Sequence, residues 1–491
     1  MPKTIVIGAG FAGLAAACHL ARGGFDVVVV ERHDQAGGRA RTFTEEGFRF
    51  DMGPSWYWMP DLFERFFKGL DHRVDDLYEL VRLDPSYEVI WPGGDSWEIP
   101  AGLPALAKLF EAHQPGGAAA LDRFISQTRY IYEQALGDYL FRPSISFFEF
   151  VDLRLVRELF RLRMLRSMSS YARDFFDHEQ LARLVEWPVL FLGASADKTS
   201  AMYSLMGYAD MALGTWYPKG GMHEIIKAMV RVAEGLGVEI VLGEPVEGIL
   251  VEAGRAVGVE TPSGERRADA VLASADYYHV ESELIPARYR QFNEVYWDKR
   301  AMSPSSLLYY IGLEGHLGDL LHHTLFFDED LDRHMDAVYD DARWPDAPLF
   351  YACAPSVTDP SVAPKGCSNL FLLIPLAPGL EDSDAQRERL YDQVMNRLEA
   401  RVGASLRDRI VVRRSYAMRD FEADYSAYKG NAYGMANTLL QTGPLKPPLR
   451  SKKLPGLYFA GQLTVPGPGM PPSLVSGELA AKVLMDDIGE T

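Results

Sequence analysis

Residues 3–40 read KTIVIGAGFAGLAAACHLARGGFDVVVVERHDQAGGRA, and their order decides the fold. TIVIG is a β-branched run that stops at glycine, the pattern of a buried strand. Gly8, Gly10 and Gly13 follow as G-x-G-x-x-G. In that spacing the first glycine permits a tight turn. The second lets backbone approach a pyrophosphate, and the third lets helix and strand pack closely. A helix starting near Phe11 and Ala12 aims its N–H groups and positive dipole end at phosphates. DVVVVE is the second strand. Glu31 closes it 18 residues past Gly13, where a carboxylate accepts from ribose hydroxyls, with Arg32 beside it. An ordinary glycine-rich turn is the bland alternative, but here strand, helix, second strand and terminal acid all fall in order. The prediction is an α/β dinucleotide-binding domain of Rossmann type, doubly wound around a parallel sheet.

Outward from this unit, Gly37, Gly38 and Arg39 lie within eight positions of Glu31. A second glycine pair with an arginine offers more backbone N–H groups and a fixed cation to a diphosphate. A plain nicotinamide site has no need of them. The alternative for Gly37-Gly38 is a simple loop.

The chain has 491 residues and 47% hydrophobic content, which predicts a globular protein of two or three lobes. Its net charge of −18 argues against nucleic acid as a partner, because phosphate backbones need clustered Lys and Arg. Cys18, Cys353 and Cys367 show no metal-ligand spacing and no disulfide framework, which points to a reducing interior compartment. The first strand begins almost at Met1, leaving no room for a signal peptide. No apolar run is long enough to cross a bilayer as a helix.

Residues 237–276 read as short strands with turns at Gly243, Gly254 and Ser263-Gly264. Before them, Lys219-Gly220-Gly221 is a turn into a helix with apolar residues at helical spacing, Ile225, Ile226, Met229, Val232 and Ala233. Residues 100–214 are mostly helical in pattern and rich in aromatics. Residues 290–410 contain the apolar, strand-like SPSSLLYYIGL and CSNLFLLIPLAPGL. Within 151–176, six arginines stand against three acids. Two readings remain open there: a basic amphipathic helix on an anionic bilayer surface, or a core-covering helix whose arginines pair with acidic neighbours.

Five stretches together resemble the carotenoid desaturase family of flavoproteins, of the bacterial phytoene desaturase type. They are VIGAGFAGLAAACHLARGGFDVVVVERHDQAGGRA, GFRFDMGPSWYWMPDLFERFF, GTWYPKGGM, FYACAPSVTDPSVAPKGCSNLFLLIPLAPG and GLYFAGQLTVPGPGMPPSLVSGELAA. They span the chain from end to end, and all but the first are specific to that family. The wording FAGQLTVPGPGMPP departs from the commoner G-A-G-T-H-P-G and marks a subgroup.

The resemblance implies FAD as cofactor and a discontinuous FAD-binding domain over residues 1–80, 215–290 and 450–491. It implies a helical, membrane-facing region over 81–214 and a strand-rich region over 291–449, together a mixed α+β substrate domain. Val246 is expected to place its backbone against the adenine. Gly461 is expected beside the ribityl phosphate, with the loop carrying Gly469 and Met470 passing the isoalloxazine. A helix beginning near Ser473 aims at the ring's pyrimidine side, where its positive end stabilises the negative charge of reduced flavin.

The implied reaction is stepwise desaturation of phytoene toward lycopene, with hydride passing from an allylic carbon to flavin N5. Such a substrate, a hydrocarbon, is gripped by apolar burial alone. The implied location is the cytoplasm, peripherally attached to the membrane. The electron acceptor has no signature here. Asp174 and His223 are candidate proton acceptors, each with a structural reading that outweighs the catalytic one, and no catalytic residue is assigned. Lys219 reads as a surface cation, with a position facing the flavin as the alternative. A carotenoid isomerase, a later-step desaturase and a retinol saturase share the motifs. A flavin amine oxidase and a non-catalytic carotenoid carrier are weaker alternatives.

Overall fold

The computed structural model describes residues 1–143, 166–438 and 441–489. Five strands form a wholly parallel sheet. β1 (Lys3–Ile7) lies at its centre, followed in the chain by helix α1 (Phe11–Arg22) and β2 (Asp26–Val30). The chain returns through helix α2 (His223–Gly235), β3 (Glu239–Val241) and β4 (Ala270–Ala273). It returns again at its end through β5 (Leu457–Phe459) and helix α3 (Met470–Gly489). The spatial order is β5-β4-β1-β2-β3. Edge strand β5 thus comes from the far end of the sequence, held parallel to β4 by the pairing of Val271 with Leu457 and Ala273 with Phe459.

These strands are apolar on both faces because both are covered. Val6, Val27, Val29 and Leu272 pack against the three helices. Ile5, Ile7, Val28, Val30 and Val271 point the other way, onto a layer with Ile249, Val259, Tyr277 and Trp297. Ile249 and Val259 belong to a three-stranded antiparallel sheet built from Gly248–Glu252, Arg255–Thr261 and Gly264–Arg267. Its turns fall where the glycines of residues 237–276 predict them.

A second, seven-stranded sheet carries the other half of the molecule. Its centre is the long antiparallel pair Ser305–Glu314 and Cys367–Leu376, in register from Ser305 opposite Leu376 to Glu314 opposite Cys367. One face packs on helix Asp384–Val402 through Leu307, Tyr309, Leu372 and Val394. The other presents Leu308, Tyr310, Tyr351, Cys353 and Leu373 toward the helices of residues 103–134 and 168–192.

Among the described residues, no helix is long and apolar enough to cross a membrane. Most of the basic stretch read at 151–176 lies outside the described residues. Of its arginines, Arg166 bonds Asp174, and Arg173 bonds Glu179 at 2.8 Å and also Glu186.

Candidate functional site

A cavity of about 600 Å³ runs between the two sheets. One end is made almost entirely of backbone. Gly8 takes φ +96°, so β1 turns sharply into α1. A Cβ on Gly13 would lie 2.0 Å from Gly8 O, which is why only glycine fits there. Gly13 therefore stands behind the cavity wall. Gly8, Gly10, Phe11 and Ala12 line it. Gly10 caps α1 without any side-chain hydrogen bond, so the first-turn N–H groups, which have no intrahelical acceptors, face the cavity.

Gly37 and Gly38, at φ +126° and +54°, close the opposite side. A Cβ on Gly38 would come within 3.4 Å of Gly10 Cα. These two bare segments form a slot that a side chain at either position would narrow. Such a donor-rich slot suits a diphosphate. Glu31 lies at its rim and is held by two backbone donors: Ala9 N to Oε2 at 2.8 Å and His33 N to Oε1 at 3.0 Å. Arg32 and Val246 complete this end. Arg32 Nη1 donates to Ser426 Oγ at 3.2 Å.

Arg39 enters the cavity from the slot. Its guanidinium lies over the Tyr425 ring at 4.8 Å and donates to Asn431 O at 3.2 Å. Its Nε is buried without a partner, and burial lowers its pKa. Asp276 lines the same cavity. Burial pushes its carboxyl up to about 6, against the pull of Arg39 and of three backbone donors, from Tyr278, His279 and Tyr428. Sequence reading missed Asp276, Asn431 and Tyr425. They are distant in the chain and carry no motif.

β5 delivers Gly461, at φ +113°, to the middle of the cavity, and Gly469, at φ +116°, follows. α3 begins at Met470, three residues before the start expected near Ser473. The correction matters for its N-terminus. Pro471 and Pro472 have no N–H, and Ser473 N already donates to Gly469 O at 3.0 Å. The helix therefore offers its dipole and the Met470 N–H rather than a fan of donors. Met470 and Ser473 both line the cavity. Gly477 fixes the helix in place: a Cβ there would fall 2.2 Å from Ala12 O, so α1 and α3 meet backbone to backbone.

Past Gly53 and Ser55 the lining turns apolar, with Trp56, Trp58, Trp187, Met206, Leu308 and Leu373. The three indoles cluster with centroids 5.1 to 5.3 Å apart. Hidden donors anchor two of them. Trp58 Nε1 donates to Thr215 Oγ1 at 2.9 Å, and Trp187 Nε1 to Tyr87 Oη at 3.1 Å. Tyr87 in turn donates to Asp210 at 2.7 Å, whose carboxyl burial pushes up to about 7. The indole N–H groups of Trp58 and Trp187 are thus bonded to residues outside the cavity lining. Trp56 also stacks on His323 at 4.0 Å.

Cys353 shows no ligand spacing in the sequence, but the fold gathers it with His322 and His323, ligand atoms within 4.8 Å of one another. The other candidates lie off the cavity lining. His223 is buried with Nδ1 2.9 Å from Ala40 O, and Asp174 is tied to Arg166. Lys219 is exposed, 3.4 Å from Glu79, as its surface reading predicts.

Comparison with known proteins identifies the family. The model of the flavin containing amine oxidoreductase family matches residues 11–485. The chain is 41% identical over 487 residues to a carotenoid 3,4-desaturase of Haloarcula japonica, covering 98% of each chain. It is 32% identical to a zeta-carotene-forming phytoene desaturase of Myxococcus xanthus, covering 98% of this chain and 94% of that protein. The solved cyclohexylamine oxidase of Brevibacterium oxydans shares the fold with TM-score 0.57 at 16% identity, covering 99% of both chains. The bare slot, the buried Arg39 and the returning C-terminus fit FAD, and the chain belongs to the carotenoid desaturase family of flavin containing amine oxidoreductases, as an FAD-dependent oxidoreductase.

Proposed function

We propose that the protein desaturates a linear carotenoid, inserting a double bond next to an existing conjugated system. The observation that carries this reading is the continuity of the cavity, glycine-lined at one end and walled by indoles and aliphatic side chains at the other. In this reading Gly8, Gly10, Phe11 and Ala12 hold the FAD diphosphate, with Gly8 setting the turn and Gly13 letting α1 pack closely on it. Gly37, Gly38 and Arg39 close over it, and Glu31 and Arg32 face the adenosine ribose with Val246 against the adenine. Gly461, Gly469, Met470 and Ser473 border the flavin. FAD, when bound, supplies the hydride acceptor.

The chain's own residues bind, orient and exclude water. Each 100 Å² of polyene buried against Trp58, Trp187, Leu308 and Leu373 is worth about 2.5 kcal/mol. The indole faces also favour the positive charge that develops on an allylic chain as hydride leaves. A polyene delocalises that charge itself, so positioning and dryness carry most of the catalysis.

The 41% relative is a 3,4-desaturase, which favours a late step on an already conjugated carotenoid. The relatives named as phytoene desaturases, at 28 to 32% identity, support conversion of phytoene toward lycopene as the second reading. Delivery of either substrate from a membrane surface belongs to the same proposal. The test is expression in two bacterial hosts, one accumulating lycopene and one phytoene. A red-shifted, more conjugated product from lycopene supports the late step, and coloured carotenes from phytoene support the second reading. Flavin-loaded protein that changes neither pigment overturns the function.

A further inference from the structure

Two adjacent histidines and a cysteine meet in the core behind the apolar wall. His323 opens the strand His323–Phe326 and lies opposite Cys353, the last residue of Phe350–Cys353, in an antiparallel pair. Residues directly opposite each other put their side chains on one face. His322 precedes the strand, and its ring meets that of His323 with centroids 4.5 Å apart. One ring nitrogen of each histidine and the Cys353 sulfur all lie within 4.8 Å of one another, and all three residues are buried.

The hydrogen bonds sort the ring nitrogens. His322 Nδ1 lies 2.8 Å from Thr358 Oγ1, and His323 Nδ1 lies 2.6 Å from Tyr351 Oη. Tyr351 in turn donates to Ser55 Oγ at 3.1 Å, which leaves its oxygen to accept the His323 N–H. Among the described residues, neither Nε2 has a hydrogen-bond partner. A buried polar atom left so is costly, and here two sit on touching rings. An imidazole held at one nitrogen by an oxygen and bare at the other is the form in which histidine binds a metal.

A separate void of about 20 Å³ adjoins the cluster, and its lining includes His322, Cys353, Ser55, Asp51 and Tyr217. It admits one guest the size of a water or a small ion. Asp51 brings a carboxyl to it, held by Met222 N at 2.8 Å and His223 N at 3.2 Å. Arg49, at the same void, donates to Gly220 O at 2.9 Å. Tyr217 Oη, among the described residues, has no partner.

We propose that His322 Nε2, His323 Nε2 and Cys353 Sγ bind one zinc ion, with the fourth position open to this void. Two imidazoles and a thiolate suit zinc. The Cys353 thiol gives its proton to solvent as the sulfur–zinc bond forms, and no electron moves. Zn–N and Zn–S bonds of about 2.0 and 2.3 Å set ligand separations of about 3.3–3.7 Å. The side chains therefore draw in by up to about 1 Å from the 4.8 Å that bounds them. The inference does not depend on the desaturation reading. The ion's place in the molecule is structural: His323 stacks on Trp56 at 4.0 Å and bonds Tyr351, and both of those line the large cavity. Zinc would fix the ring on which that wall rests.

The test uses full-length, FAD-loaded protein without a histidine tag, grown with zinc and passed over a chelating resin to strip loosely held metal. About one zinc per FAD is expected. The zinc-edge X-ray absorption spectrum should show one sulfur at about 2.3 Å and nitrogens at about 2.0 Å. Cys353→Ser should lower zinc content at least about tenfold with FAD content unchanged. Thr358→Val, which removes only the oxygen behind His322, should weaken zinc about 10- to 100-fold in competition with a chelator. Wild type that stays nearly zinc-free after Zn²⁺ is added back has a buried water only, and the site is overturned. Zinc with no sulfur neighbour, or zinc that a folded Cys353→Ser retains in full, marks an adventitious ion only and overturns it equally. The wild-type spectrum decides the matter even where Cys353→Ser fails to fold.

Discussion

Replacing Gly477 with alanine adds one methyl group to the contact between α1 and α3. That Cβ would lie 2.2 Å from Ala12 O and 2.9 Å from both Ala15 Cβ and Ala16 N. Nonbonded heavy atoms settle at about 3.5 Å or more, so α3 has to retreat by about 1 Å. Little nearby can yield. Two of the three atoms are backbone, and α1 is itself held by the Gly8–Gly13 approach. Overpacking of this kind costs about 1–3 kcal/mol. At about 2.1 cal/mol/K of unfolding entropy per residue, that is a fall of a few degrees in Tm for a chain this long. The larger consequence lies about one and two turns away, where Ser473 and Met470 face the cavity. We expect Gly477→Ala to weaken FAD binding at least tenfold. Flavin fluorescence quenching on reconstituting the apoprotein measures the affinity, and a flavin-release melt measures Tm. A variant that binds FAD as tightly as wild type and melts at the same temperature would refute the reasoning.

Gly13→Ala places its Cβ 2.0 Å from Gly8 O and is expected to yield protein without bound flavin, visible as loss of the yellow flavin absorbance. Trp58→Ala removes an indole from the apolar wall and should raise KM about tenfold or more, from about 1.5–3 kcal/mol of lost burial, with FAD content unchanged. Asp210 gives a pH prediction. Burial pushes its carboxyl up to about 7 from the ordinary 3.8, so the folded state binds the extra proton between those values and stability falls as pH rises from about 4 to 7. Asp210→Asn removes that slope. In urea titrations its deficit against wild type should shrink by up to about 4 kcal/mol from pH 4 to pH 7.5, and a constant deficit contradicts the assignment.

Some of the molecule is legible locally. Glycine spacing after TIVIG marks the tight turn, because positive φ at Gly8 and the close approach at Gly13 act within six residues. The continuous Val run of β2 announces a strand covered on both faces. The glycine-proline loop before α3 signals close approach by a ligand. The start of α3 was misplaced because Pro471 and Pro472 read as loop, although proline is tolerated in a helix's first turn.

The sequence by itself determined the nucleotide-type βαβ unit, the cofactor class and the apolar character of the substrate region. Each is set by short-range rules: φ, strand period and composition. Only the tertiary structure decided that Gly477 locks the last helix onto the first. The same holds for Asp276 facing Arg39, Tyr425 lying beneath Arg39, and the Ser55–Tyr351–His323 line reaching the cavity. The physical reason is that such contacts join residues tens to hundreds of positions apart through sheet order and register. No local pattern encodes which strand edge the returning chain will meet.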